Sequence, residues 1–200
     1  MYYREVIRSI FDFMTCYVLY GRIIWNMTKF IVRNANVEDT ESILKIYEYY
    51  VLNTAISFEC AVPSTSEFKE RVIKTLEKYP YYVALLNDKI VGYTYAAPYC
   101  EREAYRFSAT LTIYIDKNYT KQGIGKLLYN TIENRLIEMG ITNLYASIGI
   151  PEIEDEYLNF NSLEFHKHLG FNPVGKFQKC GKKFDRWYSI IWAEKIIAVH

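Results

Sequence analysis

The chain has 200 residues, which is enough for one domain with a sizeable hydrophobic core. Half of the residues are hydrophobic and 24% are charged, a composition that excludes a disordered chain. With 24 basic against 23 acidic residues the net charge is only +1, which excludes a broad polybasic nucleic-acid binder. Tyrosine accounts for 20 residues, and its ring and hydroxyl suit half-buried, hydrated surfaces.

The first thirty residues are aromatic and apolar. Arg8, Asp12 and Arg22 interrupt this run, so no stretch reaches the roughly 20 apolar residues of a membrane span. No small-residue cleavage site follows it either, so no export signal is predicted. We expect residues 1–29 to be an N-terminal extension that forms an extra helix against the domain or a partner chain. Two alternatives are a natural start at Met27 and an amphipathic interfacial helix, whose apolar face is Ile7, Ile10, Phe11, Met14 and Val18.

From residue 30 onward, strand and helix patterns alternate. Strands are predicted over residues 30–33, 81–86, 89–97, 107–115, 144–148, 171–178 and 187–193. Helices are predicted from a cap at Asn36 to residue 51, from a capping box of Ser64 and Glu67 to residue 76, and over 123–139 and 159–169. This order predicts an α+β domain over residues 30–200. Its core is expected to be a mixed sheet of the α/β kind, with helices on both faces.

The four cysteines, Cys16, Cys60, Cys100 and Cys180, lie far apart and form no CxxC pair. Three histidines are too few and too scattered for a zinc site, so no metal is predicted. The cysteines are interpreted as free thiols in a reducing cytoplasm.

A turn before the third predicted helix is typical of an anion site. Gly123 and Gly125 lie at the helix start, where the backbone is accessible and the first N–H groups have no internal partner. Lys121 and Lys126 add positive charge. A Walker A loop and a dinucleotide fingerprint are excluded, because Gly-Lys-Ser/Thr and the third glycine are missing. The remaining alternative is a tight turn without a ligand.

This turn resembles the acetyl-CoA pyrophosphate loop of the GNAT N-acetyltransferase superfamily, whose pattern is Gln/Arg-x-x-Gly-x-Gly/Ala. Here it reads Thr120-Lys121-Gln122-Gly123-Ile124-Gly125, with Thr in the first position. Residues 159–171 resemble the late helix of the family, which ends in Gly-Phe. Residues 93–108 and His166 are similar to the phosphinothricin acetyltransferases within the superfamily. The resemblance covers about residues 31–197.

The resemblance implies the GNAT acyl-CoA N-acyltransferase fold, a mostly antiparallel central sheet with splayed middle strands flanked by helices. It implies acetyl-CoA as cosubstrate and acetylation of a small-molecule amine by direct attack on the thioester. The acceptor is expected to be an amino acid or analogue of the phosphinothricin or methionine-sulfoximine type. A cytoplasmic homodimer is expected, with no nucleic-acid partner.

The same resemblance assigns site residues. His166 and Tyr114 are the catalytic candidates, because a histidine exchanges protons near neutral pH and a tyrosine donates hydrogen bonds. The cofactor-binding candidates are Ile113, Tyr114, Ile115, Lys121, Gln122, Gly123, Ile124, Gly125, Lys126, Asn159 and His166. The substrate candidates are Arg102, Tyr105, Tyr129, Phe58 and Glu59. Arg102 is expected to pair with a carboxylate or phosphinate.

One position departs from the subgroup. Thr110 stands where the phosphinothricin acetyltransferases carry a glutamate regarded as the general base. The base is therefore expected elsewhere, at Glu59, Glu103 or a water chain. This departure also favours a second hypothesis, a catalytically idle acetyl-CoA-binding sensor or interaction domain. A peptide or protein N-acetyltransferase is the close variant of the leading hypothesis.

Overall fold

The structure is a computed structural model that describes the backbone of residues 14–19 and 22–27 and the full chain over residues 30–199. The strands are β1 (Met14–Leu19), β2 (Arg22–Met27), β3 (Ile31–Asn34), β4 (Tyr81–Leu86), β5 (Lys89–Pro98), β6 (Ser108–Ile115), β7 (Asn143–Ile150), β8 (Asn172–Lys183) and β9 (Arg186–Ile196). The α-helices of the described residues are α1 (Thr40–Asn53), α2 (Thr65–Leu76), α3 (Ile124–Glu138) and α4 (Asn161–His168).

Local sequence signals explain several boundaries. The predicted capping box is confirmed, because the Ser64 hydroxyl accepts from the Glu67 N–H and the Glu67 carboxylate accepts from the Ser64 N–H. Asn36 caps a short 3-10 turn, and α1 begins after it at Thr40. β8 and β9 are longer than predicted. Near their connection they pair through Lys182, Lys183 and Arg186, whose charge hides the strand pattern, and at its other end β9 continues along β7 to Ile196.

Strands β3 to β9 form one sheet in the order β3-β4-β5-β6-β7-β9-β8. Neighbouring strands are antiparallel except for β6 and β7, which run parallel at the centre. The predicted α+β fold with a mixed sheet is confirmed, and the parallel pair is the place where the sheet departs from a simple antiparallel ladder.

The two faces of this sheet differ in composition. Helices α1 and α2 cover one face, where Tyr47 packs with Tyr81 and Tyr93; we call it the tyrosine face. Helices α3 and α4 cover the other, where Ile132 of α3 packs with Leu144 of β7 among other aliphatic side chains; we call it the aliphatic face. Alternation along each strand separates the two sets of side chains.

The predicted extra helix in the N-terminal extension is wrong where the structure describes that segment. Met14–Leu19 and Arg22–Met27 are strands that pair antiparallel in a two-stranded sheet of their own. These strands carry β-branched and aromatic residues, which favour extended backbone over helix. The amphipathic pattern that starts at Ile7 lies mostly outside the described residues. Among the helices of the described residues, none combines the length and apolar character that a membrane span requires.

Candidate active site

The centre of the sheet opens between β6 and β7. The two strands pair from Ser108 to Thr110 on β6 and from Asn143 to Tyr145 on β7, and later residues of either strand have no partner in the other. The predicted splay of these strands is confirmed. A cavity of about 110 Å³, which we call the strand gap, fills the opening. It is lined by Ile56, Leu111, Thr112, Ile113, Tyr114, Ala146, Ser147, Ile148, Gly149, Ser162 and His166.

Two further cavities adjoin the strand gap on the tyrosine face. The tyrosine cavity, of about 160 Å³, is lined by Tyr47, Glu59, Phe68, Arg71, Val72, Thr75, Tyr81, Tyr93, Tyr95, Thr112 and Tyr114. The loop cavity, of about 370 Å³, is lined by Tyr47, Ile56, Ser57, Phe58, Glu59, Tyr114, Ser147, Gly149 and Ile190. Together they provide a route from the surface between α1 and α2 to the opened strands.

Tyr114 lies where these cavities meet, because its side chain lines all three. Its ring packs against Tyr47 at 5.1 Å and Tyr50 at 4.9 Å, measured between ring centroids. Burial raises the pKa of Tyr114 well above its usual value, an effect that the nearby Ser57 hydroxyl opposes. The phenol therefore stays protonated at neutral pH and is able to donate a hydrogen bond or a proton.

The segment 56–59 forms the wall between the loop cavity and solvent. The Tyr47 and Ser57 hydroxyls are hydrogen-bonded at 2.7 Å, and the buried Lys183 ammonium donates to the Ser57 carbonyl at 2.7 Å. Burial lowers the pKa of Lys183. Gly181 leaves space for the Phe58 ring, since a Cβ at Gly181 would lie 2.2 Å from it. The wall is thus anchored to α1 and to the end of β8.

His166 is buried on α4 beside the strand gap, with both ring nitrogens hydrogen-bonded. Its Nδ1 lies 2.7 Å from the Ser162 carbonyl, which only accepts, so Nδ1 carries the hydrogen. Its Nε2 lies 2.7 Å from the Tyr129 hydroxyl and, in the neutral ring, accepts a hydrogen bond from it. Burial lowers the pKa of His166, while the bond to Ser162 opposes this effect. The site therefore contains a neutral, oriented imidazole.

Tyr129 lines none of the three cavities. Its side chain has no exposed surface, and it packs in the aliphatic core against Phe165 and Phe171 with its hydroxyl on His166. Burial raises its pKa far above the usual value. Tyr129 therefore orients the His166 ring, and its substrate contact stays a prediction.

The start of α3 is open to solvent. Gly123 precedes the helix with φ +85°, and no side chain caps the first helical N–H groups. A Cβ built on Gly123 would meet no described atom within 4 Å. Lys121 and Lys126 are exposed, and within residues 30–199 neither forms an ion pair. Gln122 is exposed too, so unpaired donors and free ammonium groups surround an open concave turn.

The helix start also lies close to α4 and β6. A Cβ on Gly125 would lie 2.8 Å from the Phe165 ring and 3.8 Å from Ile113, so only glycine fits there. Ile124 is buried against β4 and β5, with the half-buried Ile115 nearby. This packing places the α3 start and the β6 edge within one continuous surface.

Asn159 lies just before α4 and is exposed. Its side-chain oxygen accepts from the Asn161 N–H at 3.0 Å, which is the helix-start role that the sequence allowed. Within the described chain its amide nitrogen has no partner, so it remains able to donate to a ligand.

The substrate candidates separate into two groups. Phe58 and Glu59 line the loop cavity, and Glu59 also lines the tyrosine cavity. Arg102 and Tyr105 lie on an exposed loop after β5 and line none of the three cavities. The Tyr105 ring packs edge-on against the Tyr99 ring, with 5.5 Å between the ring centroids. The structure does not bring Arg102 to Tyr114.

The carboxylates considered in place of Thr110 also differ. Thr110 is half-buried at the last β6–β7 pair. Glu103 is strongly exposed beside Arg106, at 3.7 Å. Glu59 shares two cavities with Tyr114, so it is the better placed of the two glutamates.

Arg71 is a site residue that the sequence reasoning missed. It lies on α2, lines the tyrosine cavity and contacts Glu59 with 2.6 Å between Nη1 and Oε1. The helical spacing could have indicated it, because Phe68, Arg71 and Thr75 follow at intervals of three and four residues and so share one face of α2.

These features fit acetyl-CoA. The α3 start offers donors to a diphosphate, and the unpaired edge of β6 offers backbone groups to an extended amide-containing arm. No group of three or more metal-ligating side chains lies together in the part of the chain that the structure describes.

Comparisons with known proteins give a consistent result. The family profile described as "Acetyltransferase (GNAT) domain" matches residues 32–192. A phosphinothricin N-acetyltransferase from Alcaligenes faecalis is 32% identical over 165 residues, covering 82% of this chain and 81% of its own. An L-methionine sulfoximine/L-methionine sulfone acetyltransferase from Pseudomonas paraeruginosa is 27% identical, covering 82% and 92%.

Among solved structures, a GNAT superfamily phosphinothricin acetyltransferase from Sinorhizobium meliloti in complex with AcCoA superposes with a TM-score of 0.77. It is 30% identical, and the match covers 84% of this chain and 89% of that one. The similarity therefore extends over the whole seven-stranded sheet and its helices.

Proposed function

The chain belongs to the GNAT acetyltransferase family, and we propose that it transfers the acetyl group of acetyl-CoA to the amine of a small molecule, an amino acid or amino-acid analogue. The observation that carries this proposal is the position of Tyr114 between the strand gap and the two cavities of the tyrosine face. Relatives named for phosphinothricin and methionine sulfoximine support an acceptor of that type.

On the donor side, the N–H groups after Gly123, with Lys121, Gln122 and Lys126, are proposed to hold the diphosphate. The β6 edge from Ile113 to Ile115 and the Asn159 amide are proposed to bind the arm. Acetyl-CoA supplies the activated acetyl thioester.

In the proposed reaction a bond forms between the acceptor nitrogen and the acetyl carbon, and the carbon–sulfur bond breaks. The nitrogen loses a proton, and the departing sulfur gains one. The Tyr114 hydroxyl is proposed as the donor of that second proton, because it is protonated at neutral pH and Tyr114 lines the strand gap. Glu59, alone or through water, is proposed to receive the proton of the nitrogen.

His166 remains the second catalytic candidate. Its neutral ring borders the strand gap, and its two hydrogen bonds fix its orientation. A proton delivered to Nε2 would be shared with the Tyr129 hydroxyl. A loss of kcat in a His166→Asn variant with unchanged coenzyme A affinity supports the catalytic assignment.

Arg102 and Tyr105 stay predicted substrate contacts on an exposed loop. We also propose a cytoplasmic homodimer, with residues 30–200 as the catalytic domain and residues 1–29 as an extension. The exposed ring of Tyr99, 4.3 Å from the half-buried ring of Tyr145, supports an association surface. A monomeric mass in light scattering at micromolar concentration contradicts the dimer.

The second candidate function is a non-catalytic acetyl-CoA-binding domain, favoured by Thr110 at the glutamate position. Incubation with acetyl-CoA and a panel of amino acids, read by thiol release and by mass spectrometry of the product, separates the two. Acetylated product supports the enzyme. Tight coenzyme A binding in calorimetry without product from any amino acid or peptide favours the binding domain.

A further inference from the structure

The tyrosine cavity has a charged mouth and a hydroxyl-rich interior. Arg71 and Glu59 lie at the mouth, with side chains 51% and 36% exposed and their charged groups 2.6 Å apart. Tyr81 and Tyr93 lie at the bottom and are almost fully buried. A pair in this position is reachable from solvent, while the surface behind it is shielded.

The mouth also borders the proposed reaction centre. Glu59 and Tyr47 line both the tyrosine cavity and the loop cavity, and Tyr114 lines these two and the strand gap. A group held at Glu59 is therefore next to Tyr114, whereas a group held at Arg71 lies on the side away from the opened strands.

The charge pattern matches one class of acceptor. An α-amino acid carries its ammonium and carboxylate groups on one carbon, so both groups reach a closely spaced carboxylate and guanidinium. A guanidinium binds a carboxylate bidentately, which adds orientation to affinity. The interior volume of about 160 Å³ resembles cavities of about 150 Å³ that hold benzene, so it accommodates about six non-hydrogen atoms. Tyrosine hydroxyls in its wall suit a side chain that ends in oxygen atoms.

We propose that the Glu59–Arg71 pair is the acceptor-recognition site and that it selects free α-amino acids with short side chains. The acceptor carboxylate binds Arg71, its amine lies at Glu59 beside Tyr114, and its side chain enters the tyrosine cavity. The inference rests on the proposed acetyltransferase function and assigns the carboxylate contact to Arg71, a residue on α2, in addition to the loop around Arg102.

The experiment compares L-methionine sulfone with its α-carboxamide, which keeps the amine and side chain but removes the negative charge. For the wild-type chain we expect the KM for the carboxamide to be roughly ten- to hundredfold higher than that for L-methionine sulfone, because one hydrogen bond to a charged group is lost. In Arg71→Gln the KM for the free amino acid rises to that of the carboxamide, and the two probes become equivalent. The Kd for coenzyme A stays unchanged.

Arg135→Gln is the matched control. Arg135 is also 51% exposed and pairs with a glutamate, Glu138, at 3.0 Å, but it lines none of the three cavities. It keeps the wild-type preference for the free amino acid. A wild-type chain that acetylates both probes with equal KM, or an Arg71→Gln variant that keeps the discrimination, overturns the inference while leaving the acetyltransferase function intact.

An equilibrium measurement distinguishes failure of the recognition-site inference from failure of the proposed acetyltransferase function. Calorimetric titration of L-methionine sulfone into the coenzyme A complex measures acceptor binding without turnover. Binding that is lost in Arg71→Gln, together with no acetylated product from the wild-type chain, supports the recognition site and contradicts the proposed enzymatic function. Acetylated product whose formation does not depend on Arg71 contradicts the recognition site and supports the proposed enzymatic function.

Discussion

The tyrosine face and the aliphatic face meet at the same opened strands but are built differently. On the aliphatic face, Ile132, Leu136 and Leu144 are fully buried within one cluster of apolar side chains. On the tyrosine face, five tyrosines line a cavity between the helices and the sheet. Aliphatic packing gives a rigid support, whereas phenol rings provide walls that tolerate both water and polar ligands.

This contrast assigns different tasks to the two faces. The aliphatic face holds the α3 start and the His166 ring, which are proposed to serve the donor side. The tyrosine face carries Tyr114, Glu59 and Arg71, which are proposed to serve the acceptor. Variants on each face are therefore expected to change different kinetic constants.

The largest expected effect is that of Tyr114→Phe. Removal of the hydroxyl removes the proposed proton donor at the junction of the cavities, so kcat falls by about 100-fold. The Kd for coenzyme A, measured by calorimetry, stays close to wild type. Tyr82→Phe is the control, because Tyr82 is a half-buried tyrosine of the same sheet that packs on the aliphatic side. Equal kcat values for the two variants remove Tyr114 from the chemistry.

The next effect concerns the donor and is expected from Gly123→Ala. Gly123 has φ +85°, so a side chain there costs roughly 1–2 kcal/mol and distorts the turn that carries the phosphate-binding amides. We expect the Kd for coenzyme A to rise roughly tenfold, which is about 1.4 kcal/mol. Acceptor KM changes little, because the tyrosine face is untouched.

Gly140→Ala is its matched control at the other end of α3. Gly140 has φ +80°, and a Cβ on it also meets no described atom within 4 Å. Both variants lose similar thermal stability for the same backbone reason. A Kd that rises equally in both variants, or in neither, contradicts the anion-binding role of the α3 start.

A smaller effect is expected from Gly181→Ala, which alters the acceptor side from a distance. A Cβ on Gly181 would lie 2.2 Å from the Phe58 ring, so Phe58 and the wall of the loop cavity must shift. Overpacking of this kind costs about 1–3 kcal/mol of stability. We expect the acceptor KM to rise severalfold in steady-state assays while the Kd for coenzyme A is retained.

The control lies on the same strand. A Cβ on Gly175 meets no described atom within 4 Å, so Gly175→Ala keeps both constants. If Gly181→Ala changes stability alone, the Phe58 wall has no part in acceptor binding.

The features that the sequence predicted correctly depend on residues that are close together in the chain. The capping box at Ser64, the glycine turn at Gly123 and the apolar stripe of α3 depend on neighbours within one or two turns, and each is present in the structure. The splay of β6 and β7 was reached through the family resemblance, because nothing local in either strand marks where pairing stops.

The parts that sequence reasoning missed depend on distant contacts. Tyr129 is 37 residues from His166, and only the packing of α3 against α4 brings its hydroxyl to the imidazole. Arg71 joins the site through Glu59, on the segment before α2. In the N-terminal segment, helical spacing and β-branched composition conflicted, and at Met14–Leu19 the backbone is extended.

The smallest expected effect tests His166, a titratable group buried on the aliphatic face. Burial holds the pKa of His166 below its ordinary value of about 6.5, so between the two values the unfolded chain binds more protons. His166 therefore contributes stability above its unfolded pKa, and this contribution is lost as the pH falls through the folded value. Denaturation between about pH 7.5 and about pH 5.5 measures the slope. His166→Gln flattens it, whereas His168→Gln, on the exposed side of the same helix, keeps it. If the free energy of unfolding of His166→Gln keeps its pH dependence, the dehydrated environment assigned to the imidazole is wrong, and the aliphatic face is as hydrated as the tyrosine face.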